Sequence, residues 1–113
     1  MAIISNRRAG HATTLDTANT TYNLTDFASP NTSVETVTAL SITKIFWTGD
    51  WTIKRGATTV WQTANNTGVW DLNSAGIALS ANATSNLVLS STSTTGTILL
   101  NIGKTSTVLT STY

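Results

Sequence analysis

The chain has 113 residues, no cysteine and a net charge of +1, and only 10% of its residues are charged, against about 25% in an ordinary globular domain. The absence of cysteine excludes disulfides and thiolate metal sites. The near-neutral charge argues against nucleic acid or an acidic membrane as a partner, because it produces no long-range attractive field.

The first thirty residues are polar, and their few large apolar side chains are widely spaced. Such side chains cannot form a core among themselves, but each can fill a pocket on a partner. We therefore expect residues 1–30 to form an extended N-terminal arm, and a disordered tail is the alternative. The predicted partner-binding residues of the arm are Ile3, Ile4, Arg7 and Arg8. The N-terminus lacks the apolar stretch of a secretory signal, so intracellular synthesis is expected.

From residue 31 onward, short β-branched and apolar segments alternate with turn residues. The first predicted strand spans residues 36–47, and its alternation slips at Lys44–Ile45, which indicates a β-bulge. Further strands are predicted at 51–54, 58–62, 69–72, 77–79, 87–89, 97–102 and 107–109. This number and spacing of strands predicts an all-β fold, a small antiparallel and jelly-roll-like β-sandwich over residues 31–113.

The four tryptophans divide by their position in the strand alternation. Trp51 and Trp70 are each two residues from an aliphatic residue, Ile53 and Leu72, and should point to the same face of the strand. Both tryptophans are therefore predicted to lie in the core. Trp47 and Trp61 are the candidates for a subunit interface, where aromatic residues are enriched. A strip of exposed indoles that stacks on sugar rings is the alternative interpretation.

No group of side chains meets the needs of a catalytic or metal site. His11 is the only histidine, and the five acids are scattered along the chain. A glycosidase pair of Asp50 and Asp71 would need a cleft for which a sandwich of this size has little room. We therefore expect no enzyme activity, no metal and no cofactor. The basic pair Lys54–Arg55, predicted at a turn, is too short to bind nucleic acid.

Residues 41–56, SITKIFWTGDWTIKRG, resemble a segment of small virion proteins of tailed bacteriophages, including phages of marine bacteria and cyanobacteria. The segments GVWDL at 68–72, GIAL at 76–79 and GTILL at 96–100 are similar as well. The resemblance implies a capsid decoration (cement) protein without catalytic residues, bound to the major capsid protein on the exterior of the virion.

Together with the thin core expected at this length, the resemblance also favours a homotrimer. Two other roles stay open at this point. The first is another virion component, such as a fibre, head–tail or tail protein. The second is a carbohydrate-binding or adhesion module whose partners are surface glycans.

Overall fold

Two antiparallel sheets pack face to face in the computed structural model, which describes residues 3–6, 10–28, 35–63, 66–72, 74, 78–92 and 96–108. Strands account for 68% of the described residues and helix for 6%. The predicted small antiparallel β-sandwich is therefore confirmed. Within the described residues, no helix is long and apolar enough to cross a membrane.

In the part of the chain that the structure describes, nine strands make up the two sheets. The first sheet has five strands in the spatial order β1 (Ile3–Asn6), β2 (His11–Asp16), β9 (Thr97–Val108), β4 (Glu35–Gly49) and β7 (Asn66–Asp71). The second sheet has four strands in the order β3 (Thr20–Tyr22), β8 (Leu87–Ser90), β5 (Thr52–Arg55) and β6 (Thr58–Gln62). A short 3-10 helix, Leu24–Phe27, follows β3.

Strand alternation produces the core between the sheets, because every second side chain points to the same face. On β9 the inward residues Ile98, Leu100 and Ile102 are fully buried. The second sheet contributes inward aliphatic residues and Trp51, which is 1% exposed as predicted. The Trp51 indole N–H donates to the Thr48 carbonyl at 3.0 Å, so its one polar atom is satisfied inside the protein.

The predicted interruption of β4 is confirmed as a shift of register between Ile42 and Lys44. The shift keeps both Ile42 and Ile45 buried although they are three residues apart. Strand β9, in contrast, runs past Gly103–Lys104, where the sequence predicts its end. Gly103 pairs with His11 on one side and with Ser41 on the other, and this double pairing keeps the backbone extended.

The predicted N-terminal arm is wrong for the residues that the structure describes. Residues 3–6 and 10–28 form β1, β2, β3 and the 3-10 helix, so they belong to both sheets of the sandwich. Ala12, Tyr22 and Phe27 are fully buried in the common core. The inferred boundary at residue 30 therefore does not separate an arm from a folded domain.

A buried ion pair ties the N-terminal segment to the long central strands. The side chains of Lys104 on β9 and Glu35 on β4 are fully buried, with Lys104 Nζ 3.0 Å from Glu35 Oε1. The same Nζ donates to Asn6 Oδ1 at 2.6 Å and to the Phe27 carbonyl at 2.9 Å. Ser106 donates to the second Glu35 oxygen at 2.9 Å. Four separate parts of the chain thus meet at one charge pair.

A second buried cation, Arg55, holds the segment 79–86 against β4. Its Nη1 donates to the Leu40 carbonyl at 2.7 Å, and its Nη2 donates to the carbonyls of Ala83 at 2.6 Å and Ser85 at 2.9 Å. Arg55 is the last residue of β5 and is 1% exposed, so its guanidinium is part of the interior and not of a basic surface. Carbonyl oxygens, whose dipoles point at the guanidinium, compensate the buried charge.

Candidate functional site

The outer face of the five-stranded sheet carries a continuous apolar row. Leu15 on β2 pairs with Leu99 on β9, Leu99 pairs with Phe46 on β4, and Phe46 pairs with Val69 on β7. Leu15 is 37%, Phe46 40% and Val69 51% exposed. We call these four side chains the apolar row. Such a contiguous apolar strip, bordered by polar residues, is typical of an interaction surface.

A polar row runs beside the apolar row, two residues further along each strand. It consists of Thr13, Asn101, Lys44 and Asp71, which are neighbours across the same four strands. Lys44 Nζ lies 3.8 Å from Asp71 Oδ2 and 4.8 Å from the centre of the Phe46 ring. The Lys44 ammonium therefore contacts both rows, since it lies near the Asp71 carboxylate of the polar row and over the Phe46 ring of the apolar row.

Three tryptophans meet where the edge strands β6 and β7 of the two sheets approach each other. The Trp47 and Trp61 rings lie 5.0 Å apart in an edge-to-face arrangement, and the Trp61 and Trp70 rings lie 5.9 Å apart. Trp47 Nε1 donates to Asn66 Oδ1 at 2.8 Å. We call these three residues the tryptophan cluster.

The tryptophan cluster overturns part of the sequence-based assignment. Trp61, a predicted interface residue, is only 8% exposed and belongs to the core, and Trp47 is half-buried against that core. Trp70, predicted to be buried, is 46% exposed. Trp70 pairs with the buried Ile45 but sits on an edge strand, where the second sheet covers only part of an inward side chain.

The two described residues of the predicted partner-binding set differ in exposure. Ile3 is half-buried and packs against the protein's own core, whereas Ile4 is 56% exposed on the edge strand β1. Arg7 and Arg8 lie outside the described residues. Ile4 is therefore the described residue of this set that presents most of its side chain to a partner.

The two acids considered as a glycosidase pair, Asp50 and Asp71, lie at different cavities. His11, Lys44 and Asp71 line a shallow cavity of about 380 Å³ on the outer face of the first sheet. Asp50 lies at another cavity, where its carboxylate accepts hydrogen bonds from the hydroxyls of Ser91, at 2.9 Å, and Thr92. Within the described residues, no three His, Asp or Glu side chains are grouped in a way that could hold a metal ion.

The apolar row was missed at the sequence level, although a signal for it exists. Residues 98–100 and the pair Ile45–Phe46 are consecutive apolar residues within strands. Since neighbouring side chains of a strand point to opposite faces, an unbroken apolar run places one of them outside. Comparison with protein families, with characterised proteins and with solved structures gave no match to this chain.

Proposed function

We propose that this chain is a capsid decoration protein of a tailed bacteriophage, which binds the exterior of the head and stabilises it. The proposal starts from the resemblance of residues 41–56 to small virion proteins. The observation that carries it is the apolar row on the outer face of the five-stranded sheet. The proposed partner of this surface is the major capsid protein, reached after synthesis in the host cytoplasm.

The exposed side chains of the apolar row would gain free energy on burial against a partner. Burial of apolar surface stabilises a complex by about 25 cal/mol per Å², and large side chains near the centre of an interface contribute most of the binding energy. Phe46 and Leu99 occupy the middle of the row, with Leu15 and Val69 at its ends. The polar row beside it suits the hydrated rim of such an interface.

Replacing Phe46 with glutamate should weaken attachment to capsids that lack the protein by about 30-fold or more, the effect expected from a central interface residue. A carboxylate at this position would be desolvated on binding without a partner. Attachment is measured by co-sedimentation of the purified protein with such capsids.

The matched control is Ala57→Glu, which places the same charge on the exposed turn between β5 and β6 of the other sheet. The control should bind capsids as the native chain does. Equal occupancy by the Phe46 variant would show that the apolar row is not the capsid-binding surface.

A different virion role is separated from decoration by copy number. A decoration protein is present in many copies on the head, whereas a fibre, head–tail or tail protein is present in few. Quantitative mass spectrometry of purified particles, with the major capsid protein as the internal standard, measures this ratio. A ratio of only a few chains per particle would favour the tail-associated role.

We also propose that the chain forms a homotrimer. Strands β1 and β7 are the edges of the first sheet, and β3 and β6 are the edges of the second. Association of subunits around a closed symmetry axis covers such edges and enlarges the buried surface of a small domain. Native mass spectrometry should record three times the mass of the chain. A monomer both in solution at about 10 μM, a concentration at which a trimer of submicromolar affinity persists, and on the capsid would contradict this state.

A further inference from the structure

A second concave surface lies at the side of the sandwich where β6 ends. One cavity of about 260 Å³ is lined by the tryptophan cluster and by Gln62, Thr63 and Asn66. A second cavity of about 260 Å³ contains Asn19, Asp50, Ser91 and Thr92. Gln62 and Thr63 line both cavities, so the two adjoin at these residues. We call the combined surface the side groove.

The two ends of the side groove differ in chemistry. At one end Trp70 presents nearly half of its side chain to solvent, supported from behind by the Trp61 ring. At the other end Asp50 is surrounded by hydroxyl and amide groups. Between them lies Gln62, which is exposed and lines both cavities.

The residues at the middle of the groove are fixed by the fold. The Trp51 backbone N–H donates to Thr63 Oγ1 at 3.1 Å, and the Thr63 hydroxyl donates to the Gly49 carbonyl at 3.4 Å. The hydrogen bond from Trp47 holds the Asn66 side-chain carbonyl, which leaves the two N–H donors of that amide for other acceptors. The groove is thus largely pre-formed, as binding sites for small ligands usually are.

We propose that the side groove binds a neutral oligosaccharide, with one sugar ring against the exposed face of Trp70 and the following ring over Gln62 toward Asp50. A pyranose ring has an apolar C–H face and a rim of hydroxyl groups. An indole covers the former, and amides, hydroxyls and a carboxylate bind the latter. This inference goes beyond capsid attachment, since Trp70, Gln62 and Asp50 are not residues of the apolar row.

Charge decides which class of glycan is expected. Among the described residues that line the two cavities, Asp50 is the charged one, and neither lysine nor arginine is present. Phosphates, nucleic acids and sulfated or uronic-acid glycans need basic side chains, and Asp50 would repel them. Each cavity is small beside the 300–1,000 Å³ or so of a typical drug-sized pocket, which suits one sugar unit in each.

The test uses the full chain on an array of immobilised neutral and anionic glycans, followed by titration of the best neutral oligosaccharide with tryptophan fluorescence as the readout. Native protein should bind neutral glycans with a change of indole emission. Trp70→Ala should weaken binding by about tenfold or more, as expected for loss of one aromatic contact. Gln62→Ala should weaken it about threefold, as expected for loss of a hydrogen bond.

Two controls make the result decisive. Gln62→Ala changes an exposed side chain and should leave the melting temperature unchanged, so its effect on binding does not depend on whether the Trp70 variant folds. Phe46→Glu should lose capsid attachment but keep sugar binding, and Trp70→Ala should do the reverse. Absence of neutral-glycan binding, binding of anionic glycans alone, or unchanged affinity in both groove variants would overturn the proposal without touching the proposed decoration role.

Discussion

Replacing Lys104 with methionine is expected to lower the free energy of unfolding by about 3–5 kcal/mol, the usual effect of removing one partner from a buried ion pair. Both side chains of the Lys104–Glu35 pair are fully buried. Methionine preserves most of the apolar length of lysine but removes the Lys104 ammonium from the buried Glu35 carboxylate, and Asn6 and the Phe27 carbonyl lose a donor. Urea unfolding followed by tryptophan fluorescence measures the change.

The double variant Lys104→Met with Glu35→Leu separates the charge effect from the packing effect. It should be more stable than the sum of the two single variants predicts, with a coupling of about 1 kcal/mol or more, because the second change removes the buried carboxylate that has lost the Lys104 ammonium. Lys54→Met, a partly exposed lysine of β5, is the control and should change stability by less than about 0.5 kcal/mol. If Lys104→Met lowered the free energy of unfolding by as little as Lys54→Met, the ion pair would not make the proposed contribution to stability.

Strand β2 escaped prediction because its inward positions carry small or polar side chains. The residues of β2 that face the core are Ala12, Thr14 and Asp16, all buried. The Asp16 carboxylate accepts a hydrogen bond from the buried Tyr22 hydroxyl at 2.7 Å, which makes its burial tolerable. Hydrophobic alternation, the signal that predicts strands, is absent where threonine and aspartate fill inward positions. The later strands carry aliphatic residues at those positions and were predicted.

Tertiary contacts also override turn signals in the sequence. Asn66 and Gly68 are typical turn residues, yet both are in β7, paired with β4. A side chain at Gly68 would place its Cβ 2.6 Å from the Trp47 ring, so glycine is required there by the tryptophan and not by a turn. The sequence pattern cannot distinguish these two uses of glycine, because the contact joins residues from different strands.

The candidate surfaces could be predicted less well than the fold. The apolar row joins four strands, and its existence depends on cross-strand register, which no local pattern encodes. The tryptophan assignments failed for a related reason. The alternation along a strand predicts which face of the strand Trp70 or Trp61 occupies. Whether the side chain is buried depends on how far the opposite sheet extends over each edge strand. Edge position, a tertiary property, therefore decided which indole is exposed.

Arg55 is the other buried cation that the sequence did not reveal, and its removal should have an effect comparable to that of breaking the ion pair. Arg55→Met is expected to destabilise the protein by about 3 kcal/mol or more, because hydrogen bonds to a charged group contribute about 1.5–3 kcal/mol each and their loss leaves buried carbonyls without donors. Arg55→Lys keeps the charge but cannot span three carbonyls, so it should recover only part of the loss.

The pKa of the Arg55 guanidinium is lowered by desolvation, which penalises its charged form. A base whose pKa is lowered by folding carries a stability penalty that is complete below the folded-state pKa and disappears as the pH rises from there past the unfolded-state pKa. Because arginine is not deprotonated in proteins at neutral pH, the effect of Arg55→Met should be constant between about pH 5 and pH 9. If the loss of unfolding free energy in Arg55→Met changed strongly between these pH values, another titrating group would be holding segment 79–86.

The loss of stability on replacing Arg55 should also be confined to segment 79–86 and the part of β4 that it contacts. Replacement of a purely apolar core residue would not show this restriction. The guanidinium holds the carbonyls of Ala83 and Ser85, and the Leu40 amide donates to the same Ala83 carbonyl at 2.9 Å. In Arg55→Lys, amide hydrogen exchange at Leu40 and Leu79 should accelerate more than at Leu100 in the centre of β9, because segment 79–86 opens before the sandwich does. Ser85→Ala, which removes a side chain but keeps the carbonyl, is the matched control and should leave these rates unchanged. Uniform acceleration across both sheets would mean that Arg55 supports the whole sandwich and not this segment.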